Sequence, residues 1–302
     1  MPQNNKTGAK LRGNSAGFMF FSVALRLLGI RHARRMAAIV CLYYLLFDWG
    51  AVKRTLPYVR HISPDSGFWH RLWLTYRLFI SQAWMLLEKE AYLGGTGSFE
   101  HVYHGYETFD KLTEKRQNGM ILLGGHVGNW QLAVEALKTI NKTINIVVHK
   151  EANEAIRKYL KINTAENNIN YIFTDGPAHG AFEIASALCN GEVVCMMGDR
   201  NYETDTLEVE FLGEKAYFPY SAFAIAAKTG SPVISLFICK DWKTEIYYAY
   251  GSEPVWPKAA RHEDIKTALL PYLEKYVQNL EATVKKYPDQ CFIFSDVWSK
   301  KT

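Results

Sequence analysis

The hydrophobic pattern of this chain changes character once, near residue 97. From residue 18 to 94 apolar positions recur every three or four residues, most clearly through FWHRLWLTYRLFISQAWMLLEKEAYLGG, the period of amphipathic helices. Pro57 and Pro64 interrupt this pattern and predict several helices rather than one rod, with Gly94 and Gly95 as a stop. Beyond residue 97, short apolar runs alternate with helix-like stretches. MILLG (120–124), INIVVH (144–149), NYIFTD (170–175), VVCMMG (193–198), PVISLFI (232–238) and EIYYAY (245–250) read as strands. Helices are expected near 129–141, 151–162, 179–190 and 216–229, and the closing EDIKTALLPYLEKYVQNLEATVKKYP reads as one or two amphipathic helices around Pro271. The alternation predicts an α/β fold: a mostly parallel central sheet flanked by helices and preceded by an aromatic-rich helical region. The expected organisation is a mobile polar segment 1–17, a helical membrane-facing region 18–96 and an α/β core 97–302 with C-terminal helices, residues 18–302 forming one compact unit.

The front end is unusually greasy. FMFFSVALRLLGI is followed by RHARRMAAIVCLYYLLFDWG, with a basic knot of Arg31, His32, Arg34 and Arg35 between the two apolar runs. The uninterrupted run Met36–Phe47 is 12 residues, too short to span a bilayer. Two readings stay open: a helical hairpin packed on the body, or a surface anchor with its cations among lipid head groups and its aromatic side chains below them. Over the whole chain 48% of residues are hydrophobic and 14% aromatic, with a formal net charge of +5. That mild basicity suits an anionic membrane or an acidic partner and gives no sign of nucleic-acid binding. Five cysteines lack metal-site or redox spacing and read as buried thiols.

The candidate chemistry lies in MILLGGHVGNWQLAVEAL (120–137), where a strand runs into two glycines, a histidine and a helix-like segment. In open α/β sheets ligands bind beyond the carboxyl ends of strands, and His126 falls at such an end. An imidazole there is suited to general-base work, while the helix start offers N–H groups to an oxyanion. A helix-capping or core histidine is the alternative. Gly-x-Ser-x-Gly, Gly-x-Gly-x-x-Gly and Walker A patterns do not occur, which argues against a serine hydrolase and against nucleotide chemistry.

GGHVGNWQLA resembles the His-x4-Asp/Glu block of the lysophospholipid and glycerolipid acyltransferase superfamily, closest to the branch of the lauroyl/myristoyl acyltransferases of lipid A biosynthesis. NGEVVCMMGDR (190–200), VEFLGEKAYFPYSAFAIAAKTGSPVI (209–234) and KYPDQCFIFSDVW (286–298) resemble three further blocks of that branch, in its order. The resemblance implies transfer of a fatty acyl group from a thioester of acyl carrier protein or coenzyme A to a hydroxyl of a lipid or glycolipid. It implies no metal and no resident cofactor, and a place on the cytoplasmic face of a bacterial inner membrane, peripheral or shallowly anchored. His126 would be the base. Gln131 stands where the family has Asp or Glu, and an amide cannot carry the charge that would stabilise an imidazolium. Asp199, at the matching end of VVCMMG, is the substitute partner. Backbone N–H groups near Gly125–Asn129, with the Asn129 or Gln131 amide, are the candidate oxyanion donors. Lys150, Arg157 and Arg200 are candidate cations for the donor phosphate or acceptor head group, and Gly213, with Phe211, Leu212 and Pro219, a candidate acceptor edge. The rival readings are a catalytically degenerate lipid-binding scaffold of the same fold and an acyl-thioesterase.

Overall fold

The run Met120–Leu123 is buried on both faces, as the middle strand of a parallel sheet must be. The computed structural model describes residues 15–105, 119–130, 132, 142–148, 168–174, 180–200 and 205–299. In chain order the described elements are α1 (Ser15–Phe47), α2 (Trp49–Ile62), α3 (Phe68–Leu93), β1 (His101–His104), β2 (Met120–Gly124), β3 (Ile144–Val148), β4 (Ile169–Phe173), α4 (Ala181–Cys189), β5 (Val193–Met197), β6 (Thr206–Phe211), β7 (Glu214–Pro219), α5 (Ser221–Thr229), β8 (Val233–Asp241), β9 (Ile246–Gly251) and α6 (Ile265–Lys286). Seven strands form one sheet in the order β1-β9-β8-β2-β5-β3-β4. Every neighbouring pair is parallel except β8–β9. The fold is therefore α/β with a mostly parallel sheet, and the chain leaves β2 and β5, which are hydrogen-bonded neighbours, at the same edge.

Alternation along β2 divides the core. Ile121 and Leu123 lie on the face covered by α5 and α6, in one cluster with Phe223, Ala226, Leu269, Leu273 and Tyr276. Met120 and Leu122 face the other side with Ile144, Ile146, Val193 and Ile234. The helix α6 starts at Asp264, whose carboxylate accepts the Thr267 N–H at 3.0 Å, and it runs through Pro271 as a single helix. Pro57 likewise lies inside α2 rather than ending a helix: burial of Val52, Thr55, Tyr58 and Val59 outweighs the missing backbone bond. The N-terminal helices break elsewhere, at Gly29 with its φ of 74°, at Asp48, which caps α2 by accepting the Ala51 N–H at 3.1 Å, and in the turn that holds Pro64.

Residues 216–219, expected as helix, belong to strand β7. Ala216 and Phe218 are buried while Lys215 is exposed, the period of two that a strand produces. β6 and β7 form a separate antiparallel hairpin, and it and β1 are strands the sequence pattern left unassigned. The thiols divide: Cys41, Cys239 and Cys291 are buried as expected, whereas Cys189 is exposed at the end of α4. The helix expected near 129–141 is described as helical at Trp130 and Leu132, and residues 133–141, like the helix expected near 151–162, lie outside the described residues.

Helices α1 and α3 pack through small side chains, with Ala33, Ala37 and Ala91 meeting Leu25 and Leu87. Their outward side chains are large and apolar: Phe20, Leu27, Ile39, Phe47, Trp69 and Trp73 are all exposed, as is Trp49 at the start of α2. Among the described residues no single helix is long and apolar enough to cross a membrane; the segments Met19–Phe47 and Trp49–Ile62 reach that length and apolarity only as a pair bent by 92°.

Candidate active site

β2 ends at Gly124 and β5 at Met197, and one residue beyond each neighbour the chain turns away from the sheet. The two turns are tied together at once: the Gly198 N–H donates to Gly124 O at 3.0 Å, and the Tyr276 hydroxyl donates to the same carbonyl at 2.8 Å. This places His126 beside Asp199. His126 Nδ1 lies 2.8 Å from Asp199 Oδ1, and the His126 backbone N–H donates to Oδ2 at 2.6 Å. Both carboxylate oxygens thus hold one residue, fixing the ring as well as the backbone beneath it. Space before the histidine is tight: a Cβ at Gly125 would stand 3.4 Å from the Asp199 carboxyl and 3.3 Å from the Phe237 ring.

The Asp199 side chain is 0% exposed and that of His126 is 19% exposed. Burial pushes the Asp199 carboxyl up, but the facing His126, the bond to its ring, nearby Arg200 and the His126 N–H together hold it below the usual carboxylate range. An ionised carboxylate only accepts, so Nδ1 carries the proton and Nε2 of the neutral ring keeps its lone pair. A buried carboxylate orienting an imidazole through Nδ1 leaves Nε2 as a base and offsets the positive charge formed when it takes a proton.

The rest of the turn is locked from two sides. The Gly128 N–H donates to Gln290 O at 2.8 Å and the Asn129 N–H to Ile238 O at 2.7 Å, while Phe292 N–H donates to His126 O at 2.6 Å. Gly128 has a φ of 64°, and a Cβ there would lie 1.8 Å from Ile238 O, so only glycine fits. Helical backbone begins at Trp130.

These bonds redistribute the expected roles. The N–H groups of His126, Gly128 and Asn129 are engaged within the protein. The Asn129 amide points inward, donating to Met85 O at 3.2 Å and to the Tyr247 hydroxyl at 3.1 Å, so it builds the site instead of facing substrate. Arg200 lies beside the pair, where its Nη2 donates to Phe292 O at 2.7 Å and its charge favours ionised Asp199. Gly213 sits in the β6–β7 turn with a φ of 83°, next to Leu212, whose N–H donates to Glu281 Oε2 at 2.8 Å; the structure gives it a turn-forming role. Gln131, Lys150 and Arg157 lie outside the residues whose side chains are described. Among the described residues no group of three or more His, Cys, Asp or Glu side chains converges as a metal site would.

Sequence reasoning missed a buried charged cluster behind the turn. Glu88 of α3 and Lys240 of β8 both have fully buried side chains and pair at 2.8 Å. Arg34 of α1 also bonds Glu88, and Glu245 Oε2 accepts from Arg34 at 2.7 Å and from Lys240 at 2.8 Å. The Tyr247 hydroxyl donates to Glu88 and accepts from Asn129. Glu88 is separated from Lys240 by 152 residues and from Tyr247 by 159, a distance at which no local pattern could announce the contact.

Two curated relatives are named phosphatidylinositol mannoside acyltransferase, one from Mycobacterium tuberculosis strain ATCC 25618 / H37Rv and one from strain CDC 1551 / Oshkosh. They are 27% and 26% identical to this chain over 135 residues, covering 43% of this chain and 43% of each relative, so the chain spans less than half the length of the curated relatives it matches. Residues 99–300, which hold β1 through α6 and both His126 and Asp199, match a family described as bacterial lipid A biosynthesis acyltransferase. That stretch contains the whole sheet and the closing C-terminal segment, and the chain belongs to the bacterial lipid A biosynthesis acyltransferase family.

Proposed function

We propose that this chain transfers a fatty acyl group from a thioester, carried by acyl carrier protein or coenzyme A, to a hydroxyl of a lipid or glycolipid, with His126 as general base. The observation that carries the reading is the His126–Asp199 pair, an imidazole held through Nδ1 by a buried carboxylate at the carboxyl edge of the sheet. Nε2 accepts the hydroxyl proton as the oxygen attacks the thioester carbonyl, and Asp199 stabilises the imidazolium. When the tetrahedral adduct collapses, the C–S bond breaks, the new C–O bond remains and the proton passes from Nε2 to the departing thiolate. Charge stabilisation by Asp199 removes the need for an acid at position 131, so Gln131 is a tolerated substitution whose amide is a candidate oxyanion donor. Lys150, Arg157 and Arg200 remain candidates for the phosphate-bearing parts of donor or acceptor. No metal and no resident cofactor takes part.

Family membership and the names of the relatives support a lipid or glycolipid acceptor. The exposed apolar and aromatic face of α1–α3, with Arg26, Arg31 and Arg35 on α1, supports attachment to a membrane surface, which in this reading is the cytoplasmic face of the inner membrane. Burying each methylene is worth about 0.8 kcal/mol, so an active edge held at that surface receives acyl chains that water would not deliver.

The test is mass spectrometry of lipids after the full chain is incubated with host membranes and an isotope-labelled acyl thioester, on carrier protein or on coenzyme A. A new acylated lipid formed by wild type and absent with His126→Ala supports the reading and identifies the acceptor. Label released as free fatty acid at a rate indifferent to added lipid makes the protein a thioesterase. Label left on both donors makes it a lipid-binding scaffold.

A further inference from the structure

We propose that Glu88 and Tyr247 are positioning residues for His126: a buried charged cluster rooted in α1 and α3 sets the Asn129 end of the catalytic turn. The inference rests on the acyl-transfer reading of the site.

The turn has two ends. Its first is fixed by Asp199, which holds both the backbone and the ring of His126. Its second is Asn129, three residues on, whose side chain is held by the N-terminal helical region along two routes. One is direct, the 3.2 Å bond to Met85 O in α3. The other runs through the Tyr247 hydroxyl, which accepts from Asn129 at 3.1 Å and donates to Glu88, one helical turn beyond Met85. Because the phenol proton points at Glu88, the oxygen lone pair is directed at Asn129. Glu88 in turn cannot swing, since Arg34 and Lys240 bond the same carboxylate oxygen and Tyr247 the other.

The energetics favour a role beyond attachment. Taking Glu88 and Lys240 wholly, and Arg34 largely, out of water is costlier than filling the same space with leucines, and removing one partner of such a set is worse still. The compensation is geometric: a cluster with fixed donors and acceptors has one arrangement, while an apolar contact tolerates sliding. Burial and the adjoining Glu88 keep the Tyr247 hydroxyl protonated far above its ordinary range, so its donor role persists at every physiological pH. Lys240 also lies 5.0 Å from the centre of Phe99 and 5.3 Å from that of Trp242, and Arg34 5.5 Å from that of Trp84, which encloses the cluster in aromatic rings. A second clamp repeats the connection. Arg77 of α3 pairs with Asp289 at 2.6 Å, and neighbouring Gln290 receives the Gly128 N–H on its backbone while its side chain bonds both backbone groups of Lys240. On this account the N-terminal helices hold the base in place as well as carrying the protein to lipid.

Glu88→Ala leaves two buried cations short of a partner and can simply unfold, so the informative variants are milder. Tyr247→Phe removes one oxygen and keeps the ring; Asn129→Ala removes the other partner. Each is expected to lower kcat per folded molecule about tenfold with KM for the thioester little changed, because a small misplacement of a base is paid in rate, and to lower the melting temperature while leaving the protein folded at the assay temperature. The double variant should be no slower than the slower single one, since both cut the same connection. The readout independent of turnover is the hydrogen-bonded Nδ1 proton of His126 in the NMR spectrum, assigned by its loss in His126→Ala; it should shift in Tyr247→Phe. If that resonance is unmoved, or if the two variants multiply and activity follows only the folded fraction, positioning by this cluster is overturned. If the resonance shifts while wild type transfers no acyl group to any acceptor, the positioning stands and the acyl-transfer reading fails.

Discussion

The two regions of this molecule treat the same residue types in opposite ways. In the α/β core Ile121, Leu123, Phe218, Phe223 and Leu269 are all but inaccessible to solvent. In the N-terminal helices Phe20, Leu27, Ile39, Trp49 and Trp69 stand outward, while alanines face the helix partner. Polar groups are inverted too: the core edge buries Asp199 and Lys240, the latter against Glu88 on the inner side of α3, while Arg26, Arg31 and Arg35 of α1 stay exposed beside an apolar surface. A soluble surface rarely carries so many large apolar groups together. The difference teaches that an apolar stripe of helical period says which residues share a face and leaves open whether that face meets protein or lipid.

The heaviest blow to the core side is Gly128→Ala. Its Cβ would stand 1.8 Å from Ile238 O at a φ of 64°, so the turn must move or the fold open. We expect a loss of about 3 kcal/mol or more in urea unfolding; stability within about 1 kcal/mol of wild type would show that the turn is not clamped as described. His126→Ala should come next, slowing acyl transfer at least about a thousandfold with the fold intact, checked by thioester consumption beside a thermal melt. An undiminished rate would transfer the base role elsewhere.

Acid sensitivity follows from Asp199. Its carboxyl titrates below the usual range when folded, so the folded state binds fewer protons than the unfolded one in acid. The stabilisation is complete above the unfolded carboxylate range, near pH 4, and fades as pH falls through the lower native value. Asp199→Asn should flatten this part of the stability curve measured by urea melts between about pH 2 and pH 6; an unaltered acid limb would mean that another group drives it. The mildest effect is expected on the helical side. Leu27→Ser with Trp69→Ser should change folding stability by no more than about 0.5 kcal/mol per site, yet weaken binding to anionic vesicles about tenfold or more, given the apolar area withdrawn. Strong destabilisation with unchanged vesicle binding would mean that this face meets protein.

Much of the sheet was legible in the sequence because its strands are continuous apolar runs bounded by glycine or polar turns; MILLG and VVCMMG fall on β2 and β5 nearly to the residue. The β6–β7 hairpin was harder, since LEVEF and KAYF are short and run into a helix that shares their apolar residues. Proline misled at Pro57, where tertiary burial overrides the local cost. Within the site, His126 and Asp199 could be found because each ends a readable strand and a parallel sheet gathers such ends. The inward turn of Asn129, the engaged N–H groups of the turn and the Glu88–Lys240–Tyr247 cluster could not. They depend on contacts between segments 44 to 159 or more residues apart, which no periodicity encodes.

The His126–Asp199 pair is best judged from the single-turnover rate of acyl transfer by Asp199→Asn, with thioester and lipid acceptor saturating and the fold verified by melting. The substitution keeps the shape and removes the charge that holds Nδ1–H and stabilises the imidazolium. A rate at least about a hundredfold below wild type is predicted. A rate equal to wild type would contradict the pairing of this histidine with this carboxylate as the engine of the reaction.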